Sequence, residues 1–491
     1  MIKGDNFRSD GDMKRRRFAR SSSLLEDQIR QEFHNTEDLK LKTVKLDGLT
    51  LTLVYLDDIS DRMVIQKTII SPLLTVSDDQ TKISAADLPD LIPMAAINNI
   101  EDNSLISRHL MDGCTVIIAR EEDIDTVYAV KTTYSVKRSP DEPVNEPTIS
   151  GPRDGFIECL QDNKALLRAH LKTSDLLFEQ HLIGKDVVKY ISLTYLQGKA
   201  DRKLIEEIRE RINEINADYI TDAGILEQLL ERNPLSVFPE LTSTQHPTKV
   251  ANALLEGRVA IMTDGSPTVL IAPTTLNMLL QTPDDYYFKW IPASLIRLLS
   301  YFTALISVLL PATYIALVSF HHGLIPTSLA VSLSKTREGV PFPSVIEAFI
   351  MELTIEILRE AGVRLPKPIG STVSIVGAIV IGETAVSSGI VSPMMVMVIS
   401  FTAICSFAIP NYQLSLALRT IRFFFLFSAA ILGVYGLLIA IFIVTTHLIK
   451  LRSFGTPYME PFAPIQLKSW KDSFVRLYYR VGKKDRKLHE K

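Results

Sequence analysis

The chain has little cysteine and nothing arranged around it. Cys114, Cys159 and Cys405 are its three cysteines, far apart and without a Cys-x-x-Cys pair. That excludes a disulfide framework and a cysteine zinc site. An excess of one charge sign is also missing. Fifty-three basic residues against 56 acidic ones leave a net charge of −3, and no nucleic-acid partner is expected from so even a balance. There is no P-loop, because Gly184-Lys185 has no upstream glycine at the required spacing. There is no His-Glu-x-x-His, no Gly-x-Ser-x-Gly and no dinucleotide fingerprint. His321-His322 has no third ligand nearby, so an ordinary polar boundary is expected and no metal or cofactor. The motifs give no argument for an enzyme. The basic residues Lys14, Arg15, Arg16, Arg17 and Arg20 are not followed by the apolar stretch of a secretory signal.

Long apolar runs are present, and they lie in the second half. Leu298–Phe320, Val373–Ile409 and Phe423–Leu448 are rich in Leu, Ile, Val, Phe and Ala. A hydrocarbon core of about 30 Å takes about 20 such residues to cross as a helix. The middle run is long enough for two short crossings broken at Ser392-Pro393. The expected architecture is an α+β soluble head followed by an all-α helical membrane domain of about four spans. The tail carries Lys450, Arg452, Lys468, Lys471, Arg476, Arg480, Lys483, Lys484, Arg486 and Lys487. Positive-inside bias places it, and with four crossings also the head, on the cytoplasmic side. The expected division is a basic, disordered segment over 1–44, head subdomains over 45–137 and 157–290, and a Pro-rich connector and turn over 138–156. The membrane domain takes 291–450 and a basic tail 451–491.

The head contains a repeat. Tyr55-Leu56-Asp57-Asp58-Ile59-Ser60-Asp61-Arg62 matches Tyr195-Leu196-Gln197-Gly198-Lys199-Ala200-Asp201-Arg202 at its ends. Each follows a β-branched alternating stretch and runs into a helical pattern. Further on, Leu110-Met111-Asp112-Gly113 and Leu254-Leu255-Glu256-Gly257 each precede two apolar strands, the second pair turned through Asp264-Gly265. Two related α+β subdomains follow from this order. Between them, Gly151, Pro152 and Gly155 form a tight turn, read either as a helix entry or as a hinge.

Two membrane-domain segments carry candidate functional residues. Over Val373–Val391 at helical spacing, Gly377, Gly382 and Gly389 share a small-residue face suited to close helix packing. Val376, Ile379 and Glu383 share another face, expected to line a passage, the alternative being Glu383 snorkelling near an interface. Over Val345–Glu360, Ile346, Ile350, Leu353 and Ile357 fall on one side, Glu347 with them, while Glu352, Glu356, Arg359 and Glu360 fall opposite. This reads as an amphipathic helix at the interface, its acids either ringing a pore mouth or forming a solvated face.

Several stretches resemble the A subunit of GerA-type spore germinant receptors. They are Gly151-Pro152-Arg153-Asp154-Gly155-Phe156-Ile157-Glu158, Asp284-Asp285-Tyr286-Tyr287 and Val340-Pro341-Phe342-Pro343. Further ones are Arg359-Glu360-Ala361-Gly362-Val363-Arg364-Leu365-Pro366, Ser374–Gly382 and Leu451-Arg452-Ser453-Phe454-Gly455-Thr456-Pro457-Tyr458. The resemblance covers roughly residues 45–463. It implies a nutrient-sensing subunit in the inner membrane of bacterial spores, with a transporter-like B subunit and a lipoprotein C subunit as partners. It also implies homo-oligomerisation, a pentamer being the expectation, into an ion channel. The other readings are a solute transporter or permease subunit and a non-conducting scaffold that relays a partner's signal. Two departures from the family pattern stand out. Thr244-Gln245-His246-Pro247-Thr248 replaces a Thr-Glu-Arg-Pro-Asp stretch, and Glu383 replaces an uncharged amide.

Overall fold

The structure is a computed structural model. It describes residues 22–46, 49–78, 84–92, 97–121, 124–133, 146, 151–282, 285, 287–365, 380–465 and 473–474. Two compact units divide the chain. The first holds Met1–Pro147, Pro152–Leu230 and Ser243–Ala272, and the second holds Thr148–Gly151, Glu231–Thr242 and Pro273–Lys491.

The first unit is built on two five-stranded sheets with the same strand order. One contains β1 (Leu39–Leu46), β2 (Leu49–Leu56), β3 (Ile97–Asn99), β4 (Cys114–Glu121) and β5 (Ile124–Lys131), in the order β1-β2-β4-β5-β3. The other contains β6 (Leu176–Ile183), β7 (Lys189–Leu196), β8 (Thr242–Thr244), β9 (Val259–Thr263) and β10 (Val269–Ala272), in the order β6-β7-β9-β10-β8. The first sheet is covered on both faces. Leu49, Leu51, Leu53, Ile117, Ala119, Tyr128 and Val130 face one apolar cluster, and Val54, Leu56, Val116, Ile118, Val127 and Ala129 face another. Successive side chains of a strand point to opposite faces, so burial on both sides gives these strands near-continuous apolar sequence.

The repeated motifs have a physical basis. Asp61 Oδ1 accepts from the Met63 and Val64 amides at 2.8 and 3.3 Å, and Asp201 Oδ1 accepts from the Lys203 amide at 3.1 Å. Each repeat's aspartate therefore caps the helix that leaves a central strand. The repeated glycine is tied to the same loop. Gly113 has φ +78° and Gly257 has φ +87°. A Cβ on Gly113 would stand 2.9 Å from the Ile59 carbonyl oxygen, and on Gly257 2.7 Å from the Lys199 carbonyl oxygen. Ile59 and Lys199 each lie four residues after the tyrosine that opens their copy of the motif.

The N-terminal boundary needs correcting. Residues 22–44 are not structureless. Helix α1 (Ser22–Glu32) buries Leu25 and Ile29 in the core, Phe33 just after it is buried there too, and β1 begins at Leu39. The alternation in Leu39–Leu46 is masked by four polar exposed-side residues, three of them lysines.

The second unit is mainly helical. Its long elements are α2 (Trp290–Ile315, continued as a π-turn to Phe320), α3 (Thr327–Thr336), α4 (Ser344–Arg364), α5 (Pro393–Phe407), α6 (Tyr412–Leu432) and α7 (Val434–Lys450). Residues 290–320 and 412–432 are long and apolar enough to cross a membrane, and α5 and α7 are shorter apolar helices. The single crossing expected over Phe423–Leu448 is two helices. Gly433, at φ +57°, separates them, and a Cβ there would stand 2.7 Å from Phe320 Cβ. The expected tail also begins too early. Ser453, Phe454 and Tyr458 are buried, and the Leu276 amide donates to the Tyr458 carbonyl at 2.9 Å.

Candidate functional site

Helix α4 turns its charges inward. Glu347 and Glu352 are 0% and 2% exposed, whereas Leu353 and Ile357 are 57% and 60% exposed. Ile346 and Ile350 are exposed as well. A helix in water would present the opposite face, so this one suits apolar surroundings. Its 21 residues span about 32 Å, close to the thickness of a hydrocarbon core. Glu347 lies on the inward side with Glu352, not among the apolar residues as helical spacing alone suggested.

Each inward carboxylate meets an arginine. Arg337 Nη2 lies 3.0 Å from Glu347 Oε1, and the Ser392 amide donates to Glu347 Oε2 at 2.9 Å. Arg422 Nη1 donates to Glu352 Oε2 at 2.8 Å, and Arg422 Nε to the Ser307 carbonyl at 2.6 Å. Arg419 Nη1 donates to Glu356 Oε1 at 2.6 Å. Arg359 Nη2 donates to Ser406 Oγ at 2.8 Å, and its guanidinium lies 4.4 Å from the centre of the Phe407 ring. Positions 352 and 356 lie one turn apart on α4 and meet Arg422 and Arg419, one turn apart on α6, while Glu347 is paired separately with Arg337. The result is a ladder of ion pairs between helices. Glu352 Oε1, Arg359 Nε, Arg419 Nε and Arg422 Nη2 are buried with no partner among the described residues, so the ladder keeps spare hydrogen-bonding capacity.

Glu347 and Glu352 are thus buried ion-pair partners and not part of a solvated face, whereas Glu360 is exposed and pairs with Arg364 one turn on in the same helix. The arginines are the residues that sequence reasoning missed. Arg419 and Arg422 sit within α6. The available signal was two arginines at i, i+3 inside an apolar helical run, facing acids at i, i+4 on another.

The other sequence candidates fare differently. Val376, Ile379 and Gly377 lie outside the described residues. Glu383 is exposed in the helical stretch 380–387. A Cβ on Gly382 would meet nothing within 4 Å among the described residues. Gly389 ends its helix instead of packing within it. Its φ is +67°, and the following Ile390 amide donates back to Ala385 at 2.9 Å, a left-handed C-terminal cap. Gly151 has φ +119°, and a Cβ there would stand 2.6 Å from the Tyr287 ring. Pro152 opens the next stretch of the first unit, so the division between units falls within the Gly151-Pro152 turn. Beyond it, Asn163 holds both the amide and the carbonyl of Ile157, at 2.8 and 2.6 Å, which fixes the turn containing Gly155 against the helix Leu160–His170.

Where Gln245-His246-Pro247 departs from the family pattern, Glu146 supplies a carboxylate. It accepts from Lys249 at 2.8 Å and from Thr244 at 2.5 Å. Burial pushes this acid up, but Lys249 and Thr244 together hold it below the usual glutamate range.

A double-sheet α+β head followed by a helical domain, two of whose helices are long and apolar enough to cross a membrane, defines the class. The profile described as "Bacillus/Clostridium GerA spore germination protein" matches residues 27–488, and the chain belongs to this GerA family. Among its relatives, Spore germination protein A1 of Bacillus subtilis (strain 168) is 41% identical over 446 residues, covering 90% of this chain and 91% of the relative. Spore germination protein GerLA of Bacillus cereus is 37% identical over 456 residues, covering 92% of each. A crystal structure of the N-terminal domain of the A subunit of the Bacillus megaterium spore germinant receptor GerK3 is similar at 27% identity. Its TM-score is 0.38, and the match covers 50% of this chain and 92% of that one.

Proposed function

We propose that the chain is the A-type membrane subunit of a spore germinant receptor. In this reading it acts in germination, in the spore inner membrane, with head and tail on the cytoplasmic side. It assembles with copies of itself, a transporter-like B subunit and a lipoprotein C subunit, and it forms or gates an ion passage. Family membership supports the germination role. The observation that supports the gating role is the inward ladder of Glu347, Glu352, Glu356, Arg337, Arg419 and Arg422. Ion pairs inside an apolar bundle stabilise less than well-packed apolar groups would. Such pairs suit a device with two arrangements better than a passive anchor. The stretch carrying Val376, Ile379 and Glu383 is the proposed passage lining, and Gly377 and Gly382 the proposed contacts between copies. The turn at Gly151, Pro152 and Gly155 is the proposed hinge.

Reconstitution with the B and C subunits tests this through monovalent cation flux triggered by nutrient. Val376→Ala should leak without nutrient, because a narrower apolar side chain admits water. Glu383→Gln should keep closure and lose cation preference. A complex that binds nutrient and never conducts would favour the scaffold reading instead.

A further inference from the structure

The turn Asn233-Pro234-Leu235-Ser236 presents an aliphatic side chain outward from a rigid base. Its closing bond runs from the Ser236 amide to the Asn233 carbonyl at 2.9 Å, with Pro234 at the second position, where its fixed φ suits a turn. Behind the turn, Glu240 is held from several sides. Asn233 Nδ2 and the Arg232 amide donate to its carboxylate at 2.5 and 3.1 Å, and Ser453 Oγ donates to its carbonyl at 2.5 Å. Phe238 is buried in the same apolar cluster as Leu437, Ala440 and Tyr458. Leu235 is nevertheless 98% exposed and Val237 45% exposed. The anchored turn thus holds a leucine fully outward beside a half-exposed valine.

Ser236 Oγ lies 3.0 Å from His447 Nε2, and the Phe238 and His447 rings are 6.1 Å apart. His447 stands in the last turn of α7. That helix exposes Leu438, Ile439, Phe442, Ile443 and Ile449. Exposed Lys450 and Arg452 follow directly. The turn therefore sits where an apolar flank gives way to basic residues, the pattern of a membrane–water boundary with anionic lipid.

We propose that Leu235 and Val237 form an interfacial anchor that dips into the headgroup–acyl boundary of an anionic bilayer beside the end of α7. The proposal rests on the reading of α7 as a membrane helix. The full chain contains two tryptophans, Trp290 and Trp470. With both changed to Phe, a single tryptophan is introduced by Leu235→Trp or, as a control, Phe442→Trp. Each variant is placed in phosphatidylglycerol-containing vesicles with lipids brominated either high or deep on the acyl chain. The Leu235→Trp variant should lose most of its emission with the high bromines, and the Phe442→Trp variant with the deep ones. A quenched control beside an unquenched, water-like Leu235→Trp variant would overturn the anchor and leave the membrane helix standing. Blue-shifted but unquenched emission at that position would mean a protein surface covers it, and would also overturn the anchor. If neither variant is quenched, the membrane reading of α7 fails and the anchor with it.

Discussion

Arg422 donates through Nη1 to Glu352 Oε2 across 2.8 Å, with side chains 3% and 2% exposed. Neither charge has water to fall back on. Removing one partner strands the other, which typically costs about 3–5 kcal/mol, whereas removing both is far milder. Glu352→Gln and Arg422→Met should each lower the thermal unfolding midpoint sharply, and the double variant should recover much of the loss. Additive losses in that double-mutant cycle would show that the pair is not coupled.

The Glu356–Arg419 pair should behave more gently. Glu356 keeps 34% exposure, so its charge retains solvent when Arg419 is removed. Arg419→Met is expected to cost less than Arg422→Met, by about 1 kcal/mol or more, since exposed pairs contribute roughly 0–1 kcal/mol. Equal losses would mean that solvent does not reach Glu356.

Gly113 and Gly257 make a paired prediction about the head. Each has a positive φ, and each has a carbonyl oxygen where a Cβ would go. Gly113→Ala and Gly257→Ala should both destabilise, by about 1–3 kcal/mol on the usual cost of a strained backbone position. Denaturant midpoints of the two variants check this. A neutral alanine in either copy would break the equivalence of the two loops.

Much of the head was legible because its signals are local. The Asp-Arg helix entries, the glycines before each hairpin and the apolar strands themselves give the duplication away. What stayed hidden were the edge strands. β1 reads as a lysine-rich tail, while β3 and β8 are three residues each, too short for alternation to register. In the helical unit the apolar runs were visible, but the direction of α4 was not. Periodicity separates its two faces without saying which is inside. Only the arginines of α6, 60 to 70 residues away in sequence, settle that. Gly433 likewise breaks a run whose composition is uniformly apolar.

Asp58 gives the head a pH dependence of defined sign. Burial pushes its carboxyl up to about 7, against the pull of Lys164 and with Asp38 adding to the rise. Its Oδ2 is buried without a partner among the described residues. A carboxyl that holds its proton more tightly folded than unfolded contributes stability that is fully present below its ordinary value near 3.8. That contribution is lost as pH rises through about 7. The slope is at most about 1.4 kcal/mol per pH unit for one group. Unfolding midpoints of the wild type should therefore fall between about pH 4 and 7 more steeply than those of Asp58→Asn, which stays neutral throughout. The wild type and the variant should converge at the acid end, because there both carry an uncharged side chain at this position. Parallel curves across that range would mean that Asp58 is ionised in the fold and balanced by Lys164.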